Sequence, residues 1–147
     1  MSAKRTAGSK WDAERSGVYL APADTSAIRA AVARGSLAWT ELNSAAARSK
    51  DQFLAACARD LRFPDWFGGN WDALADCLQD LSWQPAPGRV VLWRGANRFA
   101  GAAPNEFATA LEIFRDAAIY WKERGRVFIA LLDEQPRDTV LPPFSAS

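Results

Sequence analysis

Residues 63–83 read FPDWFGGNWDALADCLQDLSW, a short aromatic loop with two glycines that runs straight into an acidic amphipathic segment. Pro64 drives Phe63 toward an extended backbone and closes any helix before it. Gly68 and Gly69 permit a sharp turn that displays Trp66 and Phe67. Asn70 is a good N-cap, so the pattern predicts a helix from Trp71. At 100° per residue, Trp71, Leu74, Ala75, Leu78 and Leu81 share one stripe that faces a core. Asp72, Asp76 and Asp80 recur at i, i+4 and i+8 on the opposite side. From Phe63 to Gly88 the chain has four aspartates and no Lys or Arg. Like charges at i, i+4 cost an isolated helix about 0.2–0.5 kcal/mol per pair, and only Asp72, in the first turn, is clearly favoured by the helix dipole. Stability alone does not select such a row of carboxylates. A cationic partner surface does.

Outward from this stretch the apolar pattern alternates between strands and helices. Upstream, Ser49 and Gln52 form a capping-box pattern opening a helix to about Leu61, with Phe53, Leu54, Cys57 and Leu61 at helical spacing. Before it, residues 37–42 (LAWTEL) alternate as a strand. A further short run, residues 17–20, reads as an edge strand. Asp24 or Thr25 then caps a helix bearing Ile28, Ala31 and Val32 and stopping at Gly35. Downstream, Pro85, Pro87 and Gly88 break the chain before residues 90–93 (VVLW), a continuous apolar run typical of a buried parallel strand. Residues 95–103 read as a loop. Pro104 opens a long helix carrying Phe107, Leu111, Phe114, Ala118 and Trp121, terminated by Gly125. Residues 127–132 (VFIALL) are a second fully buried strand, and the Pro-containing tail from Asp133 reads as irregular. Strands separated by long helical crossovers predict an α/β domain with a parallel sheet and packed helices. Residues 1–15 read as a flexible, mildly basic tail carrying Lys4, Arg5, Lys10 and Arg15, and residues 17–147 as one domain.

Composition narrows the function. The chain has 147 residues, 49% hydrophobic and 24% charged, with a net charge of +1, an ordinary globular balance that advertises neither nucleic-acid nor membrane binding. No apolar run has membrane-spanning length and no signal-peptide core follows Met1, so a cytoplasmic protein is expected. Histidine is absent, which removes histidine-based triads, zinc motifs and the usual histidine pair of ribonucleases. Cys57 and Cys77 are the two cysteines. Each lies beside an apolar helix stripe and neither belongs to a CxxC, so both read as buried, reduced thiols. No metal or cofactor is expected, and no catalysis.

The run Pro64-Asp65-Trp66-Phe67-Gly68-Gly69-Asn70-Trp71-Asp72-Ala73-Leu74-Ala75-Asp76-Cys77-Leu78 resembles the signature of the barstar family of ribonuclease inhibitors. The resemblance covers roughly Leu37 to Leu132, is dense over residues 63–83 and thinner at residues 90–94 and 114–117. It implies a small α/β domain with a three-stranded parallel sheet, to which the N-terminal extension is expected to add the strand and helix read at residues 17–35. It also implies a partner: a secreted ribonuclease, either barnase-type or the nuclease domain of a larger toxin. By resemblance, Asp76 is the central anchor at the enzyme's phosphate site, and Asp72 meets its basic rim. Trp66, Phe67 and Gly68 cover the base-binding region, and Asp116 adds a peripheral ion pair. Asp80 joins them as the last member of the carboxylate row. Three positions depart from the family's pattern. Trp66 stands where tyrosine is usual, and Ala75 where the type member has an aromatic. Leu81 or Trp83 must serve for a tryptophan near the helix end.

Each feature also has a plainer reading. The aspartate row is the kind of face that any solvated helix carries, and Trp66 and Phe67 are aromatics that can plug a local core. Trp71, Trp83, Trp93 and Trp121 read as core. Three functions stay open at this level: a ribonuclease inhibitor that is monomeric when free, a barstar-fold interaction or regulatory module that no longer inhibits a ribonuclease, and a small enzyme using Asp72 and Asp76. Direct nucleic-acid binding by this face is disfavoured, because the carboxylates repel phosphates.

Overall fold

The computed structural model describes residues 11–80 and 86–145. Four strands, β1 (Gly17–Leu20), β2 (Ala38–Asn43), β3 (Gly88–Arg94) and β4 (Val127–Leu132), form a single sheet in the order β1-β4-β3-β2. Every pairing is parallel, with Val18 opposite Ala130, Val91 opposite Ala130 and Thr40 opposite Val91. Five helices complete the fold: α1 (Ser26–Arg34), α2 (Lys50–Leu61), α3 (Trp71–Gln79), α4 (Ala96–Ala102) and α5 (Pro104–Glu123). The α/β reading of the sequence therefore holds. The three strands implied by the family become four because residues 17–34 supply β1 and α1.

The two central strands are apolar on both faces, as parallel strands covered by helices must be. Val91 and Trp93, with Phe128, Ala130 and Leu132, point into the larger core with α2, α3, α4 and α5. Val90 and Leu92, with Val127, Ile129 and Leu131, point the other way and are covered by Ile28 and Val32 of α1 together with Ala21 and Phe144. Aromatic rings centre the larger core. Phe53 stacks on Phe99 at 4.6 Å and lies 5.4 Å from Trp93, which in turn lies 4.9 Å from Phe114. Trp93 is fully buried, and its indole N–H donates to the Ser44 hydroxyl at 2.9 Å, so this Trp brings no unsatisfied donor into the core.

Three segments depart from the sequence reading. Residues 95–103, expected as a loop, contain α4. Gly101 and the alanines of this segment mask a short helix that Phe99 and Ala100 anchor in the core. Gly95 opens it at φ 75°, and the Asp133 carboxylate accepts the Gly95 N–H at 3.2 Å. Within the expected flexible tail, Trp11–Arg15 are ordered. The Trp11 indole donates to the Ala31 carbonyl at 3.2 Å, its ring stacks on Phe144 at 6.4 Å, and Ala13–Arg15 form a 3-10 turn. Residues 1–10 of that tail lie outside the described residues. The tail from Asp133 is irregular as expected, yet Leu141 and Phe144 are buried. It borders β1, with Leu20 N–H donating to Pro142 O and Phe144 N–H donating to Leu20 O.

Candidate protein-binding site on α3 and its loop

The loop ahead of α3 is held at both ends. The helix α2 ends in a left-handed Arg62 (φ 58°), after which the Phe63 N–H donates back to Ala58 O. A turn then closes from Phe67 N–H to Pro64 O at 3.0 Å. Phe67 packs on Phe63 at 4.9 Å and is half-buried against the main core, so this ring anchors the loop. Trp66 points outward, 57% exposed. Gly68 and Gly69 are both exposed, and Gly69 takes φ 70°, the left-handed turn that brings the chain round into α3.

Asn70 caps α3 as the sequence predicts: its side-chain oxygen accepts the Ala73 N–H at 2.7 Å. The buried stripe is Leu74, Cys77 and Leu78. Trp71, expected in the core, is half-buried at its margin, 6.0 Å from Phe53, and Ala75 is also half-buried. Asp72 and Asp76 lie exposed on the outer face, one turn apart. The carboxylate row is shorter than its spacing suggested. The helix ends at Gln79, and Asp80 is its C-cap with an extended backbone (φ −132°), so Asp80 is exposed beside the helix end and not on a third turn of the same face. An aspartate is unfavourable at the negative end of the dipole, which is consistent with the helix stopping there. Leu81 and Trp83, expected on the stripe and in the core, lie outside the described residues.

The long helix α5 packs beside α3. Its flank toward α3 carries Tyr120, Trp121 and Arg124, which with Gln79, Asp80 and Arg89 line a cleft of about 400 Å³. Asp116 is exposed on α5, one turn before Tyr120. The structure thus places Asp72 and Asp76 on one helix face, Trp66 on the loop leading into it, and Asp116 on the neighbouring helix. The described salt bridges are Arg29–Glu41, Arg59–Asp60, Arg94–Glu41 and Lys122–Glu14. None involves Asp72, Asp76 or Asp116.

Two features of the site escaped the sequence reading. Trp121, expected simply as core, is only partly buried and donates its indole N–H to the Leu78 carbonyl of α3 at 2.8 Å; no local pattern announces a contact between residues 43 positions apart. Arg89, the second residue of β3, is buried, only 4% exposed, and burial pushes its pKa down. Cys77 is buried on the inner face of α3. Its thiol is pushed up to about 11, first by burial and then by the negative charges of Asp76 and Asp80, so at neutral pH it is protonated and unreactive. Cys57 is buried and shifted in the same direction by the same leading cause.

Chemically, the face offers carboxylates, one indole and exposed backbone. Among the described residues no cluster of three His, Cys, Asp or Glu is placed to hold a metal ion, and no helix is long and apolar enough to cross a membrane. The barstar (barnase inhibitor) family model matches residues 37–133, and the chain belongs to that family. The match begins at the residue before β2 and ends just after β4, so β1 and α1 lie outside it. A comparison with curated proteins finds no match.

Proposed function

We propose that this protein inhibits a secreted ribonuclease from within the cell that makes it, by laying α3 and the loop before it across the enzyme's active site. The observation that carries this reading is the pair Asp72 and Asp76: exposed, one turn apart, without a cationic partner among the described residues, on a helix fixed by its cap and its packing. A nuclease site that binds RNA phosphates supplies the missing cations. Asp76 is the anchor at the phosphate site and Asp72 meets the basic rim. Trp66 and Gly68 cover the base-binding region with Phe67 as their support, while Asp80 and Asp116 contribute ion pairs at the edge. Because the carboxylates are held on a short rigid helix, little side-chain freedom remains to be lost on binding, and the charge speeds encounter in a salt-dependent way.

On this reading the protein is not an enzyme, needs no cofactor, touches neither nucleic acid nor membrane, and is a monomer when free. The partner is a barnase-type ribonuclease or the nuclease domain of a secreted toxin. The test is titration of the purified protein into barnase while RNA cleavage is followed at low and high salt. Stoichiometric inhibition that weakens with salt is expected. Asp76→Ala should cost about 2–5 kcal/mol of binding, the general cost of truncating one member of a buried charge pair, while leaving the unfolding midpoint nearly unchanged. Inhibition that is indifferent to salt and to Asp76→Ala defeats the proposal.

A further inference from the structure

The binding face depends on how the end of α3 is fastened, and that end is unusual. The helix has only nine residues, carries no basic residue in its last turn, and is capped by an aspartate with extended backbone in place of a left-handed glycine. Its final carbonyls lack an intrahelical partner, as at any helix end, and its last turn carries no basic side chain to offset their charge. A donor from another element reaches an α3 carbonyl here: the Trp121 indole N–H, 2.8 Å from Leu78 O. Leu78 lies two residues after Asp76, and its side chain is buried. Trp121 lies five residues after Asp116 on α5. One hydrogen bond therefore joins the helix that carries Asp72 and Asp76 to the helix that carries Asp116.

We propose that Trp121 is a positioning residue of the binding face: its indole N–H clamps the end of α3 onto α5 and fixes Asp76 relative to Asp116. The role rests on the ribonuclease-binding reading above. A carboxylate that must meet a fixed cationic site gains from every degree of freedom removed beforehand. Two anchors, the Asn70 cap at one end and Trp121 at the other, oppose rolling and fraying of α3. Tyr120 and Arg124 hold the local surface of α5, since the Arg124 guanidinium stacks 3.5 Å over the Tyr120 ring and donates to Tyr120 O at 2.9 Å.

The test uses Trp121→Phe in the full chain, which keeps an aromatic ring and removes the N–H. Without a partner, amide exchange in the last turn of α3 should quicken about three- to tenfold, the worth of one hydrogen bond, while amides of β3 keep their rates. A uniform quickening across α3 and β3, or no change, overturns the clamp. With barnase, the variant should dissociate about three- to tenfold faster when Asp76 is present, and no faster than its parent in an Asp76→Ala background. Equal losses in both backgrounds overturn the positioning role. If the wild-type chain does not bind barnase, the exchange arm still decides the clamp, whereas the binding role falls together with the reading on which it rests.

Discussion

The carboxylate of Asp60 accepts the backbone N–H of Asn43 at 2.8 Å. Asn43 ends β2, the last strand of the sheet on its side, and Asp60 comes from α2. Arg59, paired with Asp60 at 2.8 Å, donates to the Asn43 carbonyl at 3.4 Å. Side chains thus occupy the N–H and C=O that a fifth strand would otherwise use, a common way to blunt a sheet edge. The opposite edge is handled differently, by the tail segment that brackets Leu20.

The Asp60 cap makes stability depend on pH in the acid range. Partial burial raises the Asp60 pKa, but the Arg59 hydrogen bond, the Asn43 N–H and the Arg59 charge outweigh it, so the carboxyl lies below its usual 3.8. A depressed carboxyl stabilises the fold fully above the unfolded value and loses that contribution as pH falls through the folded value. Urea unfolding of Asp60→Asn should show a constant deficit against wild type from neutral pH down toward 3.8, closing only below it. A deficit that persists unchanged at lower pH assigns the loss to packing.

Asn70→Ala removes the side chain that accepts the Ala73 N–H. Loss of an N-cap costs about 0.5–2 kcal/mol. The helix α3 is short, so its first turn should fray. A urea titration measures the stability, and exchange at Ala73 and Leu74 should rise before that of the core strands.

Two glycines with positive φ should respond differently to alanine. At Gly69 (φ 70°) an added Cβ meets nothing within 4 Å, so only the left-handed backbone counts, about 1–2 kcal/mol. At Gly95 (φ 75°) the same Cβ falls 2.5 Å from Ala45 Cα, which adds an overpacking cost of about 1–3 kcal/mol. Thermal melts of the two variants should rank Gly95→Ala well below Gly69→Ala. The reverse order refutes the close approach of the β2–α2 connection to the start of α4.

A chain shortened to begin at Leu37 retains the whole family match but loses β1 and α1. It uncovers Val90, Leu92, Ile129 and Leu131 and leaves β4 as an open edge. A contiguous apolar sheet face of this kind drives association. The shortened chain should aggregate or bind a hydrophobic dye under conditions where the full chain is monodisperse, as size-exclusion chromatography would show.

Much of the fold was legible because local chemistry and burial agreed. The continuous apolar runs at residues 90–93 and 127–132 had to be buried on both faces, and both lie at the centre of the sheet. Asn70, Ser49 and Pro104 marked helix starts because a cap or a first-turn proline acts on its immediate neighbours. The exposure of Asp72 and Asp76 followed from helical period alone. What the sequence could not display depends on distant partners. The helix α4 owes its existence to a pocket that receives Phe99, Trp11 is ordered by Ala31 and Phe144, and Asp80 leaves the helical row because the helix stops before it.

By itself, then, the sequence determined an α/β domain with a parallel sheet, the capped acidic helix, and which of its carboxylates face water, because each follows from propensity and period within one segment. Only the tertiary structure decided that β1 pairs with β4 and α1 covers the second face of the sheet, that Phe67 anchors while Trp66 is displayed, and that Trp121 fastens α3 to α5. Those outcomes are set by contacts between residues far apart in the chain, whose geometry no local pattern encodes.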